Sequence, residues 1–146
     1  MRVCVTGSHS SGKTCLVGGC YCALLQMYPD DVAMIPETAR RLTAQGFAMA
    51  KGTDCDPIAA CVVTQLEAER LAVARHVISD RCTLDLLAYL RTSCNPEVPA
   101  RFVSMVEEIA WLESRYFDIF CYVPIEFPMV SDAVRPDDEA YSPKGR

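Results

Sequence analysis

The chain reads as an α/β protein: a three-layer sandwich with a parallel sheet of at least four strands and helices on both faces. Two observations predict this. Four short runs rich in β-branched and apolar residues alternate with longer segments of helical periodicity, and each connection is long enough for a crossover. Strands joined by crossover helices must run parallel, and a parallel sheet buries both its faces.

The elements follow in order. Residues 2–6, Arg-Val-Cys-Val-Thr, form a short buried strand that stops at Gly7. A helix is expected from Lys13 to Tyr28, with Leu16, Cys20, Leu24 and Met27 at helical spacing and Pro29-Asp30-Asp31 ending it. Gly18 and Gly19 weaken that helix by about 1 kcal/mol each relative to alanine, which suggests close packing on the sheet. Residues 32–36 make a second strand, and residues 37–42 are helical until Gly46, whereas residues 47–55 lack periodicity and read as a connection. Asp56-Pro57 marks a helix start, an N-cap residue with proline at the first helical position, and Ile58, Val62, Leu66 and Val73 line one face of a helix running to about His76.

Residues 77–80, Val-Ile-Ser-Asp, form the third strand. Thr83 opens a helix through Leu84, Leu87, Ala88 and Leu90, which Asn95-Pro96 and Pro99 break. Phe102, Val106, Ile109 and Leu112 mark one more amphipathic helix, and residues 117–123 a fourth strand closed by Pro124. The last stretch turns polar, so residues 129–146 read as a lid or mobile tail.

The whole fits one domain of 146 residues. A net charge of −5 argues against broad nucleic-acid binding, which needs a basic surface. No apolar run approaches the roughly 18–20 residues of a membrane span and no secretory segment follows Met1, so the cytosol is the expected compartment. The nine cysteines are odd in number and therefore read as free thiols, several of them small core residues. Cys20-x-Cys22 and Cys55-x5-Cys61 lack zinc-knuckle spacing, so no metal–thiolate site is expected.

The chemistry lies in Gly7-Ser8-His9-Ser10-Ser11-Gly12-Lys13-Thr14, which matches G-x4-G-K-[ST] at every fixed position. A chance match somewhere in such a chain has a probability of roughly half a per cent. Its context, after a strand and opening a helix, is the one the motif requires. The glycines permit positive φ and close backbone approach, so that successive N–H groups form an anion-binding nest at the helix N-terminus. Lys13 brings positive charge to the β- and γ-phosphates, and the Thr14 hydroxyl is a ligand for Mg²⁺. His9 occupies a variable position of the motif, where facing solvent is the plainer reading than contacting phosphate.

In a parallel open sheet ligands bind beyond the carboxyl ends of the strands. Glu37 follows the second strand there, and Asp80-Arg81 follow the third. Asp80 is a candidate for holding Mg²⁺ through water or for accepting a hydroxyl proton, against a plain helix-capping role. Glu37 competes for the role of base, against a glutamate stabilised by a helix dipole. Arg81, Arg40 and Arg41 are candidates for gripping phosphate or a carboxylate, against ordinary solvated charges. Arg135, in the tail, is placed to act as an arginine finger closing over the transferring group. Gln65, Glu67, Glu69 and Arg70 read as a solvated helix face with a Glu67–Arg70 pair, and Trp111 as core.

The pattern resembles the AAA-type ATPase/kinase family that includes the nicotinamide riboside kinase domain associated with NAD synthesis. The resemblance rests on VTGSHSSGKT, on PETAR at residues 36–40, on Gln65-x-Glu67 leading to VISDR at residues 77–81, on Leu84-Asp85 and Tyr89, and on residues 116–124 leading to Arg135-Pro136. It implies a P-loop kinase-like fold, ATP with Mg²⁺, and phosphorylation of a nucleoside-like hydroxyl on a small-molecule acceptor, with Asp80 and Arg81 at the acceptor side and Arg135 in the lid. The alternative is a regulatory switch that binds or hydrolyses a nucleoside triphosphate without such an acceptor. A P-loop kinase normally carries a fifth strand and a final helix after the lid, with its base-binding loop there. The expectation is therefore a single domain over residues 1–146, either a fragment or a shortened form, with no signal for adenine over guanine.

Overall fold

The computed structural model describes residues 1–8, 11–49 and 51–125. Nine elements follow one another: β1 (Arg2–Gly7), α1 (Lys13–Met27), β2 (Val32–Ile35), α2 (Thr38–Ala44), α3 (Cys55–Leu71), β3 (His76–Asp80), α4 (Thr83–Ser93), α5 (Ala100–Ser114) and β4 (Ile119–Val123). The four strands form one parallel sheet in the order β2-β3-β1-β4. The α/β class and the parallel sheet are thus as the alternation of patterns predicts.

Register explains which side of the sheet each residue serves. Val5 pairs with Asp80 and Cys121, and Val3 with Ile78, so these side chains share one face. That face packs on α1, where Val5, Val17 and Ile78 form a buried cluster with Cys20, Tyr21, Cys121 and Val123 against it. Cys4, Ser79 and Phe120 lie in register on the opposite face. There Cys4 meets Cys82 at the start of α4, and a larger core assembles among α2, α3, α4 and α5 around Leu42, Ile58, Val62, Leu86, Leu90 and Val106. Since α1 leaves β1 over one face and α4 leaves the neighbouring β3 over the other, a crevice opens between the carboxyl ends of these two strands.

Several boundaries differ from those the sequence predicts, each for a visible reason. Helix α3 starts at Cys55 with Asp54 as its N-cap, two residues before the expected cap Asp56. Pro57 then occupies the third position, where its missing N–H is still one of the unpaired donors of a helix start. The helix stops at Leu71, short of His76, because the Arg2 guanidinium donates to the carbonyls of Glu69 (2.6 Å) and Ala72 (2.8 Å). Val73 consequently lies outside the helix and is exposed. In α1 the buried residues are Lys13 and Val17, and Leu16 and Met27 are exposed, so the apolar stripe is rotated by one position. Nothing lies within 4 Å of where a Cβ on Gly18 or Gly19 would sit, so close packing is not the reason for these glycines.

Two polar readings are also overturned. Gln65 and Glu69 do not belong to a solvated face: they are 2% and 3% exposed. Thr38 donates to Gln65 Oε1 (2.5 Å), Gln65 Nε2 to Glu69 Oε1 (2.9 Å), and the Thr83 backbone N–H to Glu69 Oε1 (3.3 Å). This chain ties α2, α3 and α4 together, and burial raises the Glu69 carboxyl above its ordinary pKa. Arg70 pairs with Glu113 of α5 at 2.6 Å, a partner 43 residues away, where spacing had suggested Glu67. Trp111 is 59% exposed, because α5 buries the line of Val106, Ala110 and Glu113 instead.

Candidate functional site

The phosphate loop joins β1 to α1. Gly7 has φ +141° and its Cα faces β4 so closely that a Cβ there would run into the Val123 carbonyl oxygen. Gly12, with φ +83°, is the left-handed N-cap of α1, and nothing crowds it; backbone conformation alone asks for glycine there. Among the described residues no side chain caps α1 and no acid occupies its first turn, so the helix start presents its N–H groups and the positive end of its dipole. Sequence and structure agree here because both requirements act on the backbone of one short segment.

Lys13 folds back over this loop, its Nζ donating to the Ser8 carbonyl and to Ser11 Oγ (3.2 Å), and Ser11 Oγ in turn donating to the Ser8 carbonyl (3.0 Å). Only 5% of Lys13 is exposed. Burial, with the nearby Arg81 cation second, lowers its pKa from 10.5 to about 8, against the pull of Asp80, Glu37 and Asp85. Thr14 Oγ1 donates to Asp80 Oδ2 at 2.6 Å across the crevice between β1 and β3. Asp80 is 2% exposed, and its other oxygen, Oδ1, is buried with no hydrogen-bond partner among the described residues. A buried carboxylate oxygen without a donor is costly unless a cation meets it, and the hydroxyl and carboxylate oxygens are hard donors that suit Mg²⁺.

Arg81 turns the chain out of β3 with φ +75°, the one non-glycine residue with positive φ among those described. Such a conformation costs of order 1–3 kcal/mol and persists only when surroundings impose it. They do so: the Arg81 N–H donates to Val5 O (3.0 Å), and Nη1 donates to Gly7 O (3.0 Å) and Asp85 Oδ1 (3.4 Å), while Nε donates to Glu37 Oε1 (3.1 Å). Glu37 also pairs with Arg40 at 3.4 Å. Arg41 is exposed on α2, as a solvated charge would be.

Asp85, which sequence reasoning passed over as a candidate, is the hub of the α4 side of the crevice. Its Oδ1 accepts from Thr6 Oγ1 (2.7 Å) as well as Arg81, and its Oδ2 accepts the Cys82 backbone N–H (3.1 Å) in a capping arrangement at the start of α4. The available signals were the Arg81-to-Asp85 spacing of four and an acid at the third position of a helix. Of the residues the sequence singles out, Gly7, Ser8, Ser11, Gly12, Lys13, Thr14, Glu37, Asp80 and Arg81 gather at the carboxyl ends of β1, β2 and β3. His9, Ser10, Arg135 and the segment 129–146 lie outside the described residues.

A parallel sheet of order 2-3-1-4, with a glycine-bounded loop leading from its central strand into an uncapped helix, defines a P-loop nucleotide-binding protein with a kinase-like fold. The chain belongs to the family described as an AAA domain, whose model matches residues 2–144. It is similar in structure to thymidylate kinase from Ehrlichia chaffeensis, with a TM-score of 0.57 and 17% identity over 84% of this chain and 70% of that one. At that identity the likeness speaks for the fold. No curated protein matches the sequence. Among the described residues no helix is long and apolar enough to cross a membrane.

Proposed function

We propose that the chain is an ATP-dependent phosphotransferase that moves the γ-phosphoryl group onto a hydroxyl of a small, nucleoside-like acceptor. The observation that carries this reading is the Asp80 carboxylate, fastened to Thr14 through one oxygen at 2.6 Å and buried at the other without a partner among the described residues. Thr14 and Asp80 would hold Mg²⁺, which when bound would supply neutralising charge to the phosphates. With Asp80 committed to the metal, Glu37 orients the acceptor hydroxyl and takes its proton. Arg81 steadies Glu37 and the acceptor, and Asp85 positions Arg81.

Lys13 leaves Ser8 and Ser11 for the phosphates, and the loop N–H groups cradle them. Positioning and electrostatics supply most of the rate in such a reaction. Arg135 is assigned the role of a cation closing over the transferring group. Nicotinamide riboside heads the acceptors to be tried, on the strength of the motif resemblance. ATP turnover measured with and without a panel of nucleosides tests the reading: it predicts acceptor-dependent consumption with a phosphorylated product, and hydrolysis indifferent to every acceptor overturns it in favour of a switch.

A further inference from the structure

We propose that Cys4, Cys82 and Asp85 form a binding site for a thiophilic divalent cation of the zinc class, separate from the phosphate site. The two Sγ atoms and an Asp85 carboxylate oxygen all lie within 4.8 Å of one another, and Cys82 Sγ is 3.7 Å from Asp85 Oδ2. A tetrahedral zinc with bonds of ~2.3 Å to sulfur and ~2.0 Å to oxygen has edges of roughly 3.5–3.8 Å between its ligands, so the present spacing needs only a small contraction. Both cysteines are free thiols, 0% and 2% exposed. Among the described residues no other trio of such donors comes this close.

The site is prepared beyond its three donors. Asp85 turns Oδ2 towards Cys82, whereas Oδ1 is held from behind by Thr6 Oγ1 at 2.7 Å and by Arg81 Nη1 at 3.4 Å, the outer contacts that orient a ligating carboxylate. Binding releases one proton from each thiol to solvent, and two thiolates, a carboxylate and a divalent cation sum to one negative charge. The Arg81 guanidinium stands beside the carboxylate to offset it. Water completes the fourth position. Sulfur donors select against Mg²⁺, which takes oxygen.

The parallel register brings the donors together. Cys4 pairs with Ser79, and the chain turns at Arg81 so that Cys82 returns beneath Cys4 on the face opposite α1. Asp80 lies on the other face with Thr14, so the two cations do not compete for a ligand. A cation here clips β1, just before the phosphate loop, to the start of α4, just after Arg81. This site does not depend on the phosphotransferase reading.

The test uses the full chain, reduced and freed of metal, with one equivalent of Zn²⁺ or Co²⁺. X-ray absorption at the zinc edge should find two sulfur ligands near 2.3 Å and two oxygen ligands near 2.0–2.2 Å. Co²⁺ should give a sulfur-to-cobalt charge-transfer band that excess Mg²⁺ leaves intact. Cys82→Ser should lose that band and bind at least ten-fold more weakly, and Cys22→Ser, at an exposed thiol, should keep both. A sulfur count other than two, no band at one equivalent, or loss of the band in Cys22→Ser overturns the proposal. The wild-type absorption measurement decides the matter even if Cys82→Ser does not fold.

Discussion

The two halves of the crevice are built differently. On the α1 side the loop from Gly7 to Thr14 is made of backbone: two glycines at positive φ, an uncapped helix start and one lysine, all within a single short segment. On the α4 side Glu37, Arg81, Asp85 and Thr6 come from four separate places in the chain and hold one another by ion pairs and hydrogen bonds of 2.7–3.4 Å. A backbone cradle binds what every nucleoside triphosphate shares. A side-chain cluster changes with each substitution, and on the proposed function it is where the choice of acceptor would reside.

The comparison can be broken from either side. Lys13→Ala should have the largest effect, a loss in turnover on the order of 10²–10³-fold together with weakened triphosphate binding, measured by steady-state kinetics and calorimetry. Binding at full strength in that variant would remove the basis for the phosphate site. Arg81→Ala should fall mainly on the acceptor, raising its KM and lowering kcat while ATP affinity changes little. It should also destabilise the fold by about 1–3 kcal/mol by leaving Glu37 and Asp85 without their shared cation. Equal losses for ATP and acceptor would mean that the two sides are one unit.

Titration sharpens the same contrast. Lys13 has a pKa of about 8, so it is charged below that pH and neutral above it. Triphosphate affinity should therefore be flat at lower pH and decline as pH rises through 8, by up to about tenfold per unit. For stability the sign is reversed. A lysine whose pKa is lowered on folding binds fewer protons in the native state, so its cost is felt below pH 8 and fades between 8 and 10.5. A pH-independent affinity would show that Lys13 is not the titrating contact.

Away from the crevice, Glu69→Ala should cost about 2–3 kcal/mol in chemical denaturation, because Gln65 and Thr83 lose their acceptor, and Glu69→Gln much less. The Glu69 pKa is raised by burial, so wild type is helped by this group at acid pH and loses that contribution as pH climbs above 4.5; Glu69→Gln should flatten the dependence. The smallest effect expected is a gain. Gly19→Ala should stabilise the chain by about 0.4–1 kcal/mol, since a methyl there meets nothing within 4 Å.

The sequence by itself determined what depends on neighbours along the chain. The alternation of strand and helix patterns specifies a parallel α/β sheet, and G-x4-G-K-T specifies a phosphate loop, because turn conformation and helix polarity are local properties. The strand-end rule expects Glu37, Asp80 and Arg81 at or just beyond the carboxyl ends of β2 and β3, and that is where they lie. Only the tertiary structure decided which partners they keep. That Gln65 and Glu69 are buried, that Arg70 answers to Glu113, that Trp111 faces out, and that Cys4 meets Cys82 and Asp85 all depend on elements brought together from 14 to 81 residues apart. Periodicity identifies a helix, but which of its faces is covered, and by which charge, is settled by what packs against it.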